Sequence, residues 1–157
     1  MLKRLSRTLP LHRLMHFYWR FSRGLTLGVR GVVLARDGRV FLVKHSYADG
    51  WHLPGGGVEA GETLIEALAR ELREEGNIEI TGPPALHGVF FHPLYSRRDH
   101  VTIYVVREFD QTNPLMPNRE IVAQGFFPVD ALPEATTAGT RARIAEVLAG
   151  NPPAERW

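Results

Sequence analysis

The chain has 157 residues, of which 44% are hydrophobic and 23% charged, as expected for one globular domain. It contains no cysteine, which excludes disulfide frameworks, thiolate metal sites and cysteine nucleophiles. The cysteine-free composition fits a reducing compartment, and we see no secretory signal and no apolar stretch long enough to span a bilayer. We therefore expect a cytoplasmic location.

The net charge of +2 hides an uneven distribution along the chain. No acidic residue precedes Asp37, while the same stretch holds eight of the 19 lysines and arginines. The remainder therefore carries 19 − 8 = 11 basic residues against 17 acidic ones. We expect an acidic body preceded by a basic segment.

Residues 1–23, the leader segment, form the first predicted element, a basic amphipathic helix. Apolar side chains recur along it at helical spacing: Leu11, Leu14, Met15, Tyr18 and Phe21. Three interpretations stay open. The helix can pack this stripe against the domain formed by residues 24–157, or against a second copy of the chain in a homodimer. It can bind an anionic surface, either a membrane or nucleic acid. It can also be an organelle-targeting peptide, since such peptides are rich in arginine and poor in acids.

From residue 25 the pattern changes to strands. Runs rich in β-branched and aromatic residues predict strands over 25–34, 40–44, 86–91, 101–109 and 121–128. Asp37-Gly38 predicts a hairpin turn between the first two strands. Residues 47–61 have the composition of a loop, and helices are predicted over 62–75 and 138–148. Strands interleaved with two helices predict an α/β domain in which helices cover both faces of a mixed sheet.

The first helix of the domain carries a cluster of acids. At about 100° per residue, Glu71, Glu74 and Glu75 fall on one face near the carboxyl end. Like charges at this spacing oppose one another, and the helix dipole disfavours anions there. A bound divalent cation would relieve the repulsion, and clustered carboxylates are the ligands that Mg²⁺ or Mn²⁺ prefers. A solvated acidic face explains the same charges equally well.

Other positions of this helix indicate packing. Leu64, Leu68 and Leu72, with Ile65, are expected to bury it against the sheet. Glu66 and Arg70 are spaced as an i,i+4 ion pair. Asn77 is expected to end the helix, because asparagine tolerates the left-handed conformation needed there.

Residues 56–78 resemble the signature of the Nudix hydrolases, the MutT-like pyrophosphohydrolases. That signature is Gly, five residues, Glu, seven residues, then Arg-Glu-apolar-x-Glu-Glu-x-Gly-apolar. The matching residues are Gly56, Glu62, Arg70, Glu71, Leu72, Glu74, Glu75 and Ile78. Asn77 stands where the family has its final glycine. The run Trp51-His-Leu-Pro-Gly-Gly also looks like the family's approach to this motif.

The resemblance implies a Nudix fold, an α/β/α sandwich around a mixed sheet. It also implies Mg²⁺- or Mn²⁺-dependent hydrolysis of a diphosphate that links a nucleoside to another group. Glu71, Glu74 and Glu75 would bind the metal, with the Gly55 carbonyl as a further ligand. Glu62 and Arg70 would hold loop and helix in register. Family members often recruit a carboxylate from outside the helix as a general base. Glu120 is our first candidate for that role and Glu108 our second.

The substrate stays open at this stage. In the family, a proline and a tyrosine at set distances beyond the motif accompany ADP-ribose and dinucleoside polyphosphate hydrolysis respectively, and Pro93 and Tyr95 satisfy both. Tyr95, Phe91 and Arg98 are the candidate substrate contacts. Further basic candidates near the phosphates are Lys44, Arg97 and His100. Two other functions compete: a non-catalytic nucleotide sensor on the same fold, and an RNA 5′-end pyrophosphohydrolase whose leader segment grips the phosphate backbone.

Overall fold

The computed structural model describes residues 24–94 and 96–157, together with Met15, Tyr18 and Ser22 of the leader segment. These three leader residues are helical, and the Ser22 hydroxyl donates to the Tyr18 carbonyl over 3.1 Å. Met15 and Tyr18 are exposed. Tyr95 and the rest of the leader segment lie outside the described residues, so the three interpretations of that segment stay predictions.

Residues 24–94 and 96–157 contain eight strands and two helices, joined by loops. The strands are β1 (Thr26–Val33), β2 (Arg39–His45), β3 (Gly55–Gly57), β4 (Glu79–Ile80), β5 (Ala85–Phe91), β6 (Asp99–Val106), β7 (Phe109–Asp110) and β8 (Ile121–Pro128). The helices are α1 (Leu64–Gly76) and α2 (Ala138–Ala149). Within these residues no helix is long and apolar enough to cross a membrane.

The strands form a mixed arrangement. The largest sheet has the order β3-β1-β6-β5, in which β1 and β6 are parallel and the other neighbours are antiparallel. Strands β2 and β8 pair antiparallel, as do β4 and β7. The predicted turn at Gly38 is present, with φ 83°. Across it, Leu34 and Val40 form an isolated antiparallel β-bridge, and β1 and β2 belong to different sheets.

Alternating side chains divide the core into two layers. From β1, Val29 and Val33 pack with Leu68 and Leu72 of α1, whereas Val32 packs on the opposite side. That second layer includes Ile144 of α2. Because strand side chains alternate between faces, one apolar strand supplies both layers. The predicted α/β/α sandwich is confirmed.

Helix α1 begins two residues later than predicted. Thr63 is its N-cap and forms a capping box with Glu66, whose carboxylate accepts from the Thr63 N–H over 2.8 Å. Glu66 is therefore not the partner of Arg70 that its spacing suggested. Ile65 is also exposed rather than packed on the sheet. At the other end Asn77 adopts φ 50° and ψ 40°, the left-handed cap predicted for it.

Candidate active site

The acidic face of α1 lies beside β3, and its three glutamates differ sharply in exposure. The Glu74 side chain is 61% exposed, that of Glu71 13% and that of Glu75 6%. The partly buried Glu71 and the buried Glu75 lie where α1 passes the glycines of β3. This arrangement does not match a simple solvated acidic face, because such a face leaves its carboxylates in water.

Strand β3 can approach α1 because it consists of glycines. A β-carbon on Gly56 would lie 2.5 Å from Oε1 of Glu71, so the Glu71 carboxylate occupies the space of the missing side chain. Gly55 has φ 135°, a left-handed conformation that favours glycine, and its N–H donates to Oε2 of Glu75 over 2.7 Å. The glycine run thus brings peptide groups within reach of two carboxylates.

Burial raises the pKa of Glu75 to about 8. The hydrogen bond from Gly55 opposes this shift, while the charges of Glu71 and Glu120 add to it. Burial is also the main reason that the pKa of Glu71 is raised. A nearby cation would favour the ionised form of both carboxylates and would lower their pKa values.

His45 contacts the same carboxylate from β2. Its Nε2 lies 3.5 Å from Oε1 of Glu75, and its Nδ1 has no hydrogen-bond partner within the described part of the chain. Burial, followed by the charges of Arg30 and His52, lowers the pKa of His45 to about 4. Around pH 6 both groups are therefore neutral, so we interpret this close pair as a polar contact rather than an ion pair.

Arg70 connects the motif's acids to the glycine strand. Its guanidinium forms a two-point pair with Glu62, with Nε–Oε1 and Nη2–Oε2 distances of 2.8 and 3.1 Å. The same group donates to Oε1 of Glu71 over 2.7 Å and to the Gly57 carbonyl over 3.0 Å, and lies 3.5 Å from Glu74. The hydrogen bonds from Arg70 hold the pKa of Glu62 at about 2. Loop, strand and helix are thereby fixed together.

Glu120 faces the acidic helix from outside it. It directly precedes β8, and its carbonyl accepts from the Ser46 N–H over 2.8 Å. Its charge raises the pKa of both Glu71 and Glu75, and its Oε1 lies 3.5 Å from the Tyr47 hydroxyl. Glu108 instead packs against the backbone of Gly82, next to β4. Of the two candidates outside the helix, Glu120 is thus the one coupled to the helix carboxylates.

The carboxylate set fits a hard divalent cation by its chemistry. Glu71, Glu74, Glu75 and Glu120 offer oxygen donors, and β3 adds peptide carbonyls. Between residues 24–94 and 96–157, however, no three acidic or histidine side chains already meet the spacing of a metal site. Arg70 accounts for part of this, because its guanidinium occupies the space between Glu71 and Glu74.

A cavity of about 610 Å³ adjoins this acidic cluster. His45 and Tyr47, which contact Glu75 and Glu120, also line the cavity. Its other walls include Arg30 from β1, the start of α2 and Trp157. A volume of this size is typical of small-molecule sites, which fall at roughly 300–1,000 Å³.

The substrate contacts named from the sequence lie elsewhere or outside the described residues. Phe91 packs its ring 5.5 Å from that of His100, and Arg98 is an exposed residue before β6; neither is among the described residues that line the cavity. The same holds for the basic candidates Lys44, Arg97 and His100. Tyr95 lies outside the described residues. All of these stay predictions.

The sequence had not indicated Arg30, His45, Tyr47 or Trp157 as site residues. His45 ends β2 and Tyr47 follows that strand, and both precede the glycine-rich motif, a position that could have singled them out. Nothing local marks Arg30 or Trp157, because they reach the cavity only through sheet pairing.

Known proteins resemble this chain in sequence and in architecture. A structure described as a MutT NUDIX hydrolase from Burkholderia pseudomallei superposes with a TM-score of 0.68 and 28% identity, over 78% of this chain and 97% of that one. An RNA pyrophosphohydrolase from Halorhodospira halophila is 54% identical over 46 residues, which cover 29% of this chain. An m7GpppN-mRNA hydrolase NUDT17 from Xenopus laevis is 33% identical over 111 residues, or 62% of this chain.

The alignments to these two curated relatives span 25% and 38% of their own lengths. The sequence pattern of the NUDIX domain itself matches residues 24–148, which is most of the chain and includes both helices of the sandwich. The chain therefore belongs to the Nudix family.

Proposed function

We propose that this protein hydrolyses the diphosphate linkage in a nucleoside diphosphate joined to another group, and that it does so with Mg²⁺ or Mn²⁺. The observation that carries the proposal is the position of Glu71 and Glu75, one partly buried and one buried carboxylate of α1, both held against the glycines of β3. Burying two acids costs free energy unless they are compensated. Their presence next to a cavity of about 610 Å³ is therefore better explained by catalysis than by folding.

Glu71, Glu74, Glu75 and the Gly55 carbonyl would hold the cation. When bound, the cation would lower the pKa of a water molecule and stabilise negative charge on the diphosphate oxygens. Without it, the acidic face of α1 would repel the anionic substrate.

The remaining residues would position the reactants and move the proton. A Glu120 carboxylate oxygen would accept a proton from the attacking water as the new O–P bond forms and the bridging P–O bond breaks. Its exposed position and its electrostatic coupling to Glu71 and Glu75 suit that role. Arg70 and Glu62 would keep β3 and α1 at a fixed separation, so that the carboxylates stay aligned.

A hydrolysis screen tests this function. Purified protein is assayed with Mg²⁺ or Mn²⁺ on nucleoside diphosphate sugars, dinucleoside polyphosphates and nucleoside triphosphates. We expect metal-dependent release of nucleoside monophosphate or phosphate, and a loss of about a hundredfold or more in Glu74→Gln and Glu75→Gln. Glu79→Gln is the control, because this exposed glutamate pairs with Arg73 and lies outside the site. Undiminished turnover in excess EDTA would contradict the proposal, and nucleotide binding without turnover would favour a sensor.

A second candidate, removal of diphosphate from RNA 5′ ends, is favoured by the name of one curated relative, an RNA pyrophosphohydrolase, while the name of the other describes hydrolysis of capped mRNA. The basic leader segment would then contact the RNA backbone. Deleting residues 1–23 should raise KM for a 5′-triphosphorylated RNA and leave that for a mononucleotide substrate unchanged. An unaltered KM for RNA would exclude this role of the leader segment.

A further inference from the structure

The cavity next to the acidic cluster shares two side chains with it, His45 and Tyr47. His45 forms part of its wall and lies 3.5 Å from Glu75, while Tyr47 forms part of its rim and lies 3.5 Å from Glu120. A ligand in the cavity would therefore continue from the diphosphate site. The cavity would thus bind one of the two groups that the diphosphate joins.

Its lining specifies what kind of group fits. Aromatic and imidazole rings come from Tyr47, His92 and Trp157, in addition to His45. None of the described residues that line it has a carboxylate side chain, which contrasts with the acidic face next to it. Tyr47 is 71% exposed, so a large ring face stands open at the rim. Such surroundings suit a flat heteroaromatic ring better than a sugar, whose hydroxyls call for many polar partners.

Trp157 is held in this wall by its backbone. Residues 155–157 run beside the end of β5: the Phe91 N–H donates to the Glu155 carbonyl over 2.9 Å, and the Trp157 N–H donates to the Phe91 carbonyl over 3.1 Å. The buried Arg143 of α2 donates to the Arg156 carbonyl over 2.8 Å. The backbone of residues 155–157 is thus held by three hydrogen bonds before any ligand arrives, which lowers the entropy cost of binding.

The indole also rests on a glycine at the start of α2. A β-carbon on Gly139 would overlap the indole Nε1 of Trp157, so the ring lies flush against the helix backbone. Phe90 and His92 make edge contacts with the indole at centroid distances of 6.1 and 5.4 Å. The substitution Gly139→Ala would therefore displace the indole without removing it.

We propose that this cavity binds the heteroaromatic base of a nucleoside, with Trp157 as the residue that recognises the base by stacking. The inference deepens the proposed function and rests on it for the identity of the reaction. The ring of Trp157, held in place by Gly139 and by the pairing with β5, provides one stacking surface. Tyr47 at the rim provides a second, next to Glu120.

Equilibrium binding tests the site separately from catalysis. Adenosine, guanosine, cytidine and uridine are titrated into the full-length protein in EDTA, and binding is followed by NMR, with ribose as the base-free control. We expect at least one nucleoside to bind and ribose not to bind. Trp157→Ala should weaken nucleoside binding roughly 5- to 150-fold, the range for loss of one base–aromatic stack. Gly139→Ala should weaken it in the same direction, and Trp157→Phe should restore most of it.

Kinetics with two diphosphates then separate base recognition from a structural role. In Trp157→Ala, KM should rise for a nucleoside diphosphate sugar while kcat changes little, and both should stay constant for 5-phosphoribosyl 1-diphosphate, which has no base. Leu148→Ala, at the far exposed end of α2, controls for loss of an apolar side chain. Equal losses on both diphosphates, or nucleoside binding unaffected by Trp157→Ala, would overturn the inference. Selective nucleoside binding without hydrolysis of any diphosphate would instead overturn the proposed function alone.

Discussion

The carboxylate of Glu71 occupies the space where a side chain on Gly56 would be. A β-carbon at residue 56 would lie 2.5 Å from Oε1 and 2.7 Å from Cδ of Glu71. The neighbouring Gly57 has nothing within 4 Å of the same position. Two adjacent glycines of β3 therefore face different surroundings, and only the first is required by the acidic helix.

These two glycines give a matched pair of variants. Gly56→Ala should push the Glu71 carboxylate away from β3 and lower kcat/KM by roughly tenfold or more, because misplacement of a catalytic group by about 1 Å can reduce rates a hundredfold. Gly57→Ala should stay within about twofold of the wild type. Steady-state kinetics at saturating Mg²⁺ measure both. Equal effects of the two substitutions would show that β3 tolerates or rejects side chains for reasons unrelated to Glu71.

Stability without metal should fall as pH rises from about 6.5 to 8. The pKa of Glu75 is raised to about 8 in the folded protein, so the folded state keeps a proton that the unfolded state has lost. The free energy of unfolding should decline over this interval by on the order of 1–2 kcal/mol. Below pH 6.5 the lowered pKa of His45, about 4, acts in the opposite direction, because the unfolded state then binds the extra proton.

Urea denaturation in EDTA, at pH 6.5 and pH 8, measures this effect. Glu75→Gln is the control, since it keeps an oxygen that can accept from the Gly55 N–H but cannot ionise. Its unfolding free energy should vary less over the same interval. An identical decline in wild type and variant would assign the pH dependence to other groups.

Arg70→Lys should reduce activity substantially even though the substitution keeps the positive charge. Lysine cannot reproduce the forked contact with Glu62 while also reaching Glu71 and the Gly57 carbonyl. We expect kcat/KM to fall roughly 10- to 100-fold, as for other residues that orient ligands of a metal site. Arg73→Lys is the matched control from the same helix, because Arg73 pairs with the exposed Glu79 and exposed pairs contribute little. Comparable losses in both variants would contradict the orienting role.

Asn77→Ala should destabilise the fold by about 1 kcal/mol, because alanine does not readily adopt the φ of 50° that this helix cap requires. Asn77→Gly should remain within about 0.5 kcal/mol of wild type, since glycine adopts this φ freely but loses the side-chain donation to the Asn113 carbonyl. Neither should change kcat/KM by more than about twofold. Thermal or urea unfolding measures the first effect, and a destabilised glycine variant would show that the side-chain bond outweighs the backbone strain.

Periodic elements of this protein were predictable from the sequence. The strand pattern located β1, β2, β5, β6 and β8, and helical spacing placed the glutamates of α1 on one face. The left-handed cap at Asn77 followed from the chemistry of asparagine. Each of these features depends on side chains close together in the chain.

The features that the sequence did not predict have two physical origins. The capping box of Thr63 and Glu66 matches a Thr-x-x-Glu pattern, but the pairing of Glu66 with Arg70 satisfies helical spacing equally well, so the sequence alone does not decide between them. Strand β3 and the cavity depend on contacts between distant segments, and three glycines have no side-chain alternation to signal a strand. Trp157 reaches the cavity through its pairing with Phe91, which no local pattern encodes.

The contact between Gly139 and Trp157 has an evolutionary consequence. A side chain at residue 139 and an indole at residue 157 compete for the same volume, so neither position can change freely while the other is kept. Among homologous sequences, glycine at the first position should accompany a large aromatic residue at the second, and the two should be lost together. Lineages that exchanged the pair would be expected to hold the nucleoside base by other contacts while keeping the glutamates of α1.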